Sequence, residues 1–372
     1  MKVLERLNDP ELGQKMLKLV KEKATRAADR LGRLAVLMEV CGTHTTAISR
    51  FGLRGLLKGL VELRSGPGCP VCVTAAGDIE AMLVLSRMSG VIVATFGDML
   101  RVPGRESSLE RERAAGARIK IVYSPADAVA LAGNNPGTEV VFLGVGFETT
   151  APLVALSITQ ARDAGLNNYT VYSVHKIMPP AIKALLESGD INIDGLILPG
   201  HVCAVTGSEA FKFIGDNYGL PAVVTGFTLV DIIDSVNTLL DKVMDQDSKT
   251  SNNYRWVVKQ GGNAAARRVL EECFYTGEAA WRGLGVIAGS GLLIKDELSG
   301  YDARSKFGLK PLISAEPAGC RCGELLRGSI FPTDCGLFGR KCTPVVPVGP
   351  CMVSSEGACA AYYRYERGEV SR

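Results

Sequence analysis

Thiols and imidazoles in this sequence fall at spacings that can do chemistry. Cys41-Gly-Thr-His44 sets a thiolate and a ring nitrogen three positions apart. That pair suits iron, zinc or copper, and two protein ligands leave coordination positions open. The plainer reading of so short a pattern is a small buried thiol beside a satisfied turn histidine. Cys69-Pro-Val-Cys72 allows a reducible disulfide or half of a metal site, and thiolates in such pairs have lowered pKa values. With no second C-x-x-C in the chain a four-cysteine zinc ribbon is disfavoured, so redox chemistry is expected of Cys69 and Cys72. The tail carries Cys320, Cys322, Cys335, Cys342, Cys351 and Cys359, six thiols within 40 residues. A four-iron cluster needs four thiolates, which leaves two over. A zinc site plus a disulfide would use the same inventory. Spacing alone does not choose the four, though Cys320 and Cys322 are poorly placed to bind one cluster from a single extended segment.

Polar residues elsewhere complete the candidate set. Glu148 in Gly146-Phe-Glu-Thr-Thr150 can shuttle a proton or clamp a polar group, with Thr149 or Thr150 capping a helix that starts near Pro152. His201 after Pro199-Gly200 can bind a metal, act as acid or base, or simply be structural. His175, with Lys176 beside it, commits to no role. Cys203 and Cys273 sit in apolar or helical settings and read as core. Neither a phosphate-binding Walker loop nor a dinucleotide glycine pattern follows a strand, so direct use of ATP or NAD is not expected.

The elements that must position these groups have an α/β rhythm. Short apolar runs at Leu34–Val40, Val61–Arg64, Val91–Thr95, Ile119–Tyr123, Val140–Val145, Thr170–Ser173, Leu196–Leu198 and Ala222–Thr225 read as strands buried on both faces. Helices such as Ala76–Met88 and Pro179–Glu187 fit between them. In open parallel sheets ligands bind at the carboxyl ends of strands, where these motifs and all three histidines fall. The expected architecture is α/β: two similar α/β domains with parallel sheets, residues 31–134 and 135–240, facing a central cleft. A smaller loop-rich iron-sulfur domain of residues 1–30 with 241–372 completes it. There the amphipathic stripe Leu4, Leu7, Leu12, Met16, Leu19, Val20 marks a helix expected to pack on the C-terminal region.

Bulk properties exclude several classes. Lys+Arg number 42 against Asp+Glu 39, and no basic run with interleaved aromatics occurs, so nucleic acid is not an expected partner. No apolar run reaches the ~18 residues that cross a bilayer, and the charged N-terminus lacks the pattern of a secretory signal. A cytoplasmic protein without membrane contact is expected. Eleven cysteines in a chain of 372 residues then point to metal or redox chemistry, not to a disulfide framework.

Taken in order, Cys41-Gly-Thr-His44-Thr45, Gly66-Pro-Gly-Cys69-Pro-Val-Cys72, Gly146-Phe-Glu148-Thr149-Thr150, Pro199-Gly-His201-Val and the C-terminal cysteines resemble the HypD family of hydrogenase-maturation proteins over nearly the whole length. The resemblance implies a [4Fe-4S] cluster on Cys320, Cys335, Cys342 and Cys359, which match the family's spacing of 14, 6 and 16 intervening residues. It implies that Cys322 and Cys351 form a thiol–disulfide pair beside the cluster, an arrangement similar to ferredoxin:thioredoxin reductase. It further implies Cys41 as ligand of a transient iron that acquires CN and CO ligands, a HypC-type small chaperone as partner and a HypE-type cyanide donor. Cys69, Cys72, His44, Glu148 and His201 would serve that chemistry, on a scaffold that is monomeric alone and need not turn over a conventional substrate. Cys203 departs from the family's frequent Ser, and Thr46 stands near its frequent His. An iron-sulfur thiol–disulfide reductase acting on protein substrates is the main alternative, and a zinc-stapled binding module a second.

Overall fold

A computed structural model describes residues 10–189 and 191–366. Leu4 and Leu7 of the expected amphipathic stripe lie outside the described residues. Strands β1 (Ala35–Glu39), β2 (Val61–Ser65), β3 (Val91–Thr95), β4 (Ile119–Ile121), β5 (Glu139–Gly144), β6 (Tyr169–Ser173), β7 (Gly195–Pro199) and β8 (Ala222–Thr225) lie where apolar runs predict them. A short β9 (Thr250–Asn252) and a hairpin of β10 (Phe274–Trp281) and β11 (Gly285–Ile294) follow.

Sheet membership does not follow chain order. One parallel sheet runs β2-β1-β7-β8-β9 and the other β4-β3-β5-β6. The expected grouping of the first four strands against the second four, meeting near Asn135–Gly137, is therefore corrected: β3 to β6 form a unit inserted between β2 and β7. Rhythm reports that strands are parallel and buried, whereas pairing is decided by which faces meet. Alternation along each strand supplies those faces. Ala35 and Leu37 point into a cluster with Ile232, Val236 and Leu240. Met38 and Val40 point into an inner cluster shared with Val91, Val93, Val141 and Leu143 of the other sheet. The outer face of the second sheet, through Ile92, Ala94, Val140 and Phe142, packs on Val154 and Ile158.

The N-terminal helix Pro10–Leu31 lies along helix Leu229–Asp245 on the outer face of the first sheet. Val20, Ala24 and Ala27 enter that cluster, and Lys23 Nζ meets Asp241 Oδ2 at 2.6 Å. It was expected on the cysteine-rich tail, but its apolar face is taken up by the helix Leu229–Asp245 and the first sheet. The hairpin stitches the units together. Trp281 pairs with Thr74, Gly291 with Lys176, and the Phe147 and Trp281 rings stack at 5.9 Å. Among the described residues no helix is long and apolar enough to cross a membrane.

The loops after β1 and β2 come into backbone contact. Gly42 N–H donates to the Gly68 carbonyl at 2.9 Å, and a Cβ added to Gly68 would stand 2.1 Å from the Cys41 nitrogen. Gly68→Ala should therefore lower unfolding stability by about 1–3 kcal/mol in denaturant titration. An unchanged midpoint would mean that the two loops have room to part.

Candidate functional site

Cys41 ends β1 and stands at the N-terminus of helix Gly42–Arg50. The thiol is buried, and burial pushes it up to about 12, although the His44 and Thr43 amides favour the thiolate. Directly beneath, the Glu39 carboxyl is 1% exposed. It accepts from Thr45 Oγ1 at 2.5 Å and from the Cys41 amide at 3.0 Å. Burial raises Glu39 to about 7, against those hydrogen bonds. Nothing in the spacing singled it out; the signal was an acid closing an otherwise apolar strand.

Strands β1 and β7 lead into the helices that carry His44 and His201, and Phe227 follows β8. The Phe227 ring lies between His44 at 4.6 Å and His201 at 3.8 Å, stacked on both. His44 Nε2 is 2.8 Å from the Gly226 carbonyl. A carbonyl only accepts, so the proton sits on Nε2 and Nδ1 carries a bare lone pair. That Nδ1 is buried with no partner among the described residues. Burial pulls His44 down to about 4, and partial desolvation also lowers the exposed His201.

Cys69 and Cys72 form a disulfide, on a short helix Pro70–Val73 that packs against Pro350–Met352 and Cys322–Leu326. Those segments carry Cys351 and Cys322. The Cys322 thiol is near enough to the Cys320, Cys351 and Cys359 thiols to perturb each of them, and its proximity is the main cause that lowers Cys320 to about 6. Cys320, Cys335, Cys342 and Cys359, the four chosen by the family spacing, all line one cavity walled by Leu325, Leu337, Phe338 and Met352. Cys322 lines it too, and Cys351 does not. Among the described residues no three His, Cys, Asp or Glu side chains converge as a ready metal-ligand group. An all-thiol donor set around an apolar cavity nonetheless has the chemistry that a four-iron cluster uses.

The tail also grips the Cys41 helix. Helix Ala358–Tyr365 packs on Gly42–Arg50, and Thr43 Oγ1 donates to Glu356 Oε1 at 2.7 Å. A Cβ on Gly42 would meet the Glu356 Cβ at 2.5 Å. One continuous buried cluster runs from Val40 through Cys69, Cys72 and Cys203 to Cys322, Cys351 and Cys359.

From the second sheet, Glu148 clamps the helix Met178–Glu187: its Oε1 accepts from the Met178 amide at 2.9 Å, while Oε2 is buried and unpartnered among the described residues. The expected Thr cap is different in detail. Thr150 precedes helix Ala151–Asp163, but its hydroxyl donates to the Phe147 carbonyl at 3.3 Å instead of accepting from an amide. Cys203, read from sequence as core, is buried where charge on Glu148 or Cys41 would raise its thiol further. His175 does not join the other two histidines; it lies over Gly144 and Gly146, with Nδ1 3.1 Å from Ser173 Oγ. Cys273 is core as expected, its thiol 3.4 Å from the Ala155 carbonyl.

Burial raises Glu148 from 4.5 to about 7. A raised carboxyl contributes stability that is complete below about 4.5 and lost as pH climbs through 7. Glu148→Gln keeps the acceptor and removes the titration. Its stability relative to the parent should rise by up to about 3 kcal/mol between those pH values, read by denaturation at a series of pH. Parallel curves would contradict the assignment.

Comparison with known proteins places the chain. Residues 12–366 match the family model described as HypD, hydrogenase formation hypA family. The chain is 40% identical over 370 residues to the hydrogenase maturation factor HypD of Escherichia coli K12, covering 99% of each protein. It is 41% identical over 374 residues to that of Rhodobacter capsulatus, covering 98% of each. With that of Azotobacter vinelandii it shares 43% over 339 residues, 89% of each. With a match of this length and identity, the chain belongs to the HypD family of hydrogenase maturation factors.

Proposed function

We propose that this chain is a scaffold on which the iron of a [NiFe]-hydrogenase centre receives cyanide and carbonyl ligands, held between Cys41 and a HypC-type small chaperone. The observation that carries this reading is the placement of thiols: the Cys69–Cys72 disulfide and the Cys322 and Cys351 thiols share one buried cluster, and the Cys41 backbone lies against Gly68, next to that disulfide. A thiol held near 12 keeps its proton until a strongly electropositive partner, which an iron ion is, replaces it on sulfur and a nearby base takes it. The Glu39 carboxyl, beneath Cys41, and the Glu148 carboxyl, both near 7, are local groups able to take that proton.

Delivery of cyanide from a HypE-type thiocyanate breaks a sulfur–carbon bond. Releasing both fragments as anions, thiolate and cyanide, consumes two electrons. Oxidation of the Cys69/Cys72 dithiol to its disulfide supplies two electrons and two protons. Contacts between their own segments and helix Pro70–Val73 support Cys322 and Cys351 as the pair that regenerates it by thiol–disulfide exchange. A [4Fe-4S] cluster on Cys320, Cys335, Cys342 and Cys359 would supply single electrons to that pair. The rival, a reductase of protein disulfides, needs an attacking thiol open to a protein substrate. Cys69 is 4% exposed and Cys72 is fully buried, which favours internal hand-over.

Cys41→Ala should abolish the carbonyl and cyanide infrared bands of the anaerobic complex co-purified with the small chaperone. Undiminished bands would reject Cys41 as the iron ligand.

A further inference from the structure

Lys176 is the group that the maturation chemistry leaves unexplained. Its side chain is 2% exposed. Its ammonium donates to the Ala280 carbonyl at 2.7 Å and lies 5.6 Å from the Trp281 ring centre. Among the described residues it makes no ion pair. Holding a cation in the interior against a carbonyl and a ring face alone is costly, and burial accordingly lowers Lys176 to about 8.

It faces a cavity of about 250 Å³ at the carboxyl end of β6, the kind of place where parallel sheets hold ligands. Arg304 lines the same cavity. One guanidinium nitrogen reaches Asp78 Oδ1 at 3.2 Å and the Ser173 carbonyl at 3.3 Å. Its Nε is buried without a partner among the described residues. Asp78 is already engaged, by Arg304 and by the Tyr172 hydroxyl at 3.2 Å. The other carboxylate of the lining, Glu278, is exposed. Ala75 and Gly77 contribute the start of the 12-residue helix Ala76–Arg87, which has no side-chain cap. The buried ammonium is therefore left without a carboxylate of its own in the wall, since Asp78 is held by Arg304 and Glu278 lies exposed.

We propose that this pocket is a binding site for a small oxyanion, a carboxylate or a phosphate, held by the Lys176 ammonium and the Arg304 guanidinium. An oxyanion there accepts charge-assisted hydrogen bonds from the ammonium and the guanidinium, and it neutralises the buried ammonium. Size is limited by the segment at Pro311 and Leu312, which closes over Gly77 so tightly that a Cβ there would stand 1.7 Å from the Leu312 carbonyl oxygen. Trp281 connects this site with the redox pair: its ring lies beneath Lys176 and its backbone pairs with Thr74, at the end of the helix that bears Cys72. The inference does not rest on the maturation reading.

Calorimetric titration of the full chain with inorganic phosphate and, separately, with acetate tests it. One of the two should bind near one per chain, and the one that binds names the source of the oxyanion. Arg304→Gln and Lys176→Gln should each weaken that binding about tenfold or more, while Cys41→Ser leaves it unchanged. Should Lys176→Gln fail to fold by circular dichroism, the half-buried Arg304 variant decides alone. Binding of neither ion to the parent chain, or binding of the parent's strength in Arg304→Gln, would overturn the proposal.

Discussion

The contact between Gly42 N–H and the Gly68 carbonyl, 2.9 Å long, ties together two loops that carry three of the reactive sulfurs. Adjacent parallel strands deliver the loops to the same edge, because β1 and β2 pair from Ala35↔Val61 through Glu39↔Ser65. Gly66 N–H continues the ladder to the Glu39 carbonyl at 2.7 Å. The backbones then approach too closely for any side chain at Gly68. Cys41 and the Cys69–Cys72 disulfide are consequently fixed by main-chain geometry and not by flexible side chains, the condition for a preorganised site.

Electrostatics at this edge are arranged against ionisation. Glu39 and Glu148 are both lifted to about 7, His44 is pushed down to about 4, and the Cys41 thiol stands near 12. The common cause is burial, which disfavours every charged form. Buried acids, an imidazole and a thiol that are all held towards their neutral forms would be answered by a cation: one metal ion would reverse the local preference and let the thiolate form. The tail acts on this edge through Glu356, seated on Gly42 and Thr43, so the cysteine-rich segment and the Cys41 helix cannot move independently.

The β1 to β8 strands were legible because each is a continuous apolar run, and β3 and β8 match their expected bounds residue for residue. The hairpin was not, since Gly277, Gly289 and Gly291 interrupt any alternation. Sheet membership was illegible for a different reason: the inner and outer faces of both sheets are equally apolar, so composition does not say which strands meet. Reactive cysteines and histidines announced themselves by type. The residues that set their properties did not, because Glu39, Phe227, Trp281 and Lys176 belong to no spacing pattern and act only through burial and stacking. His175 was misleading for the same reason, being a histidine at a strand end that packs over glycines away from its two counterparts.

The account stands on sulfur atoms in two places, one offered to an exchangeable iron and four enclosing an inorganic cluster. Quantifying iron and acid-labile sulfide in anaerobically prepared protein, for the parent chain and for Cys335→Ser, tests this most directly. The account predicts on the order of four irons and four sulfides per parent chain, with the brown colour lost in the variant. A colourless parent holding neither, or holding one zinc, would contradict it.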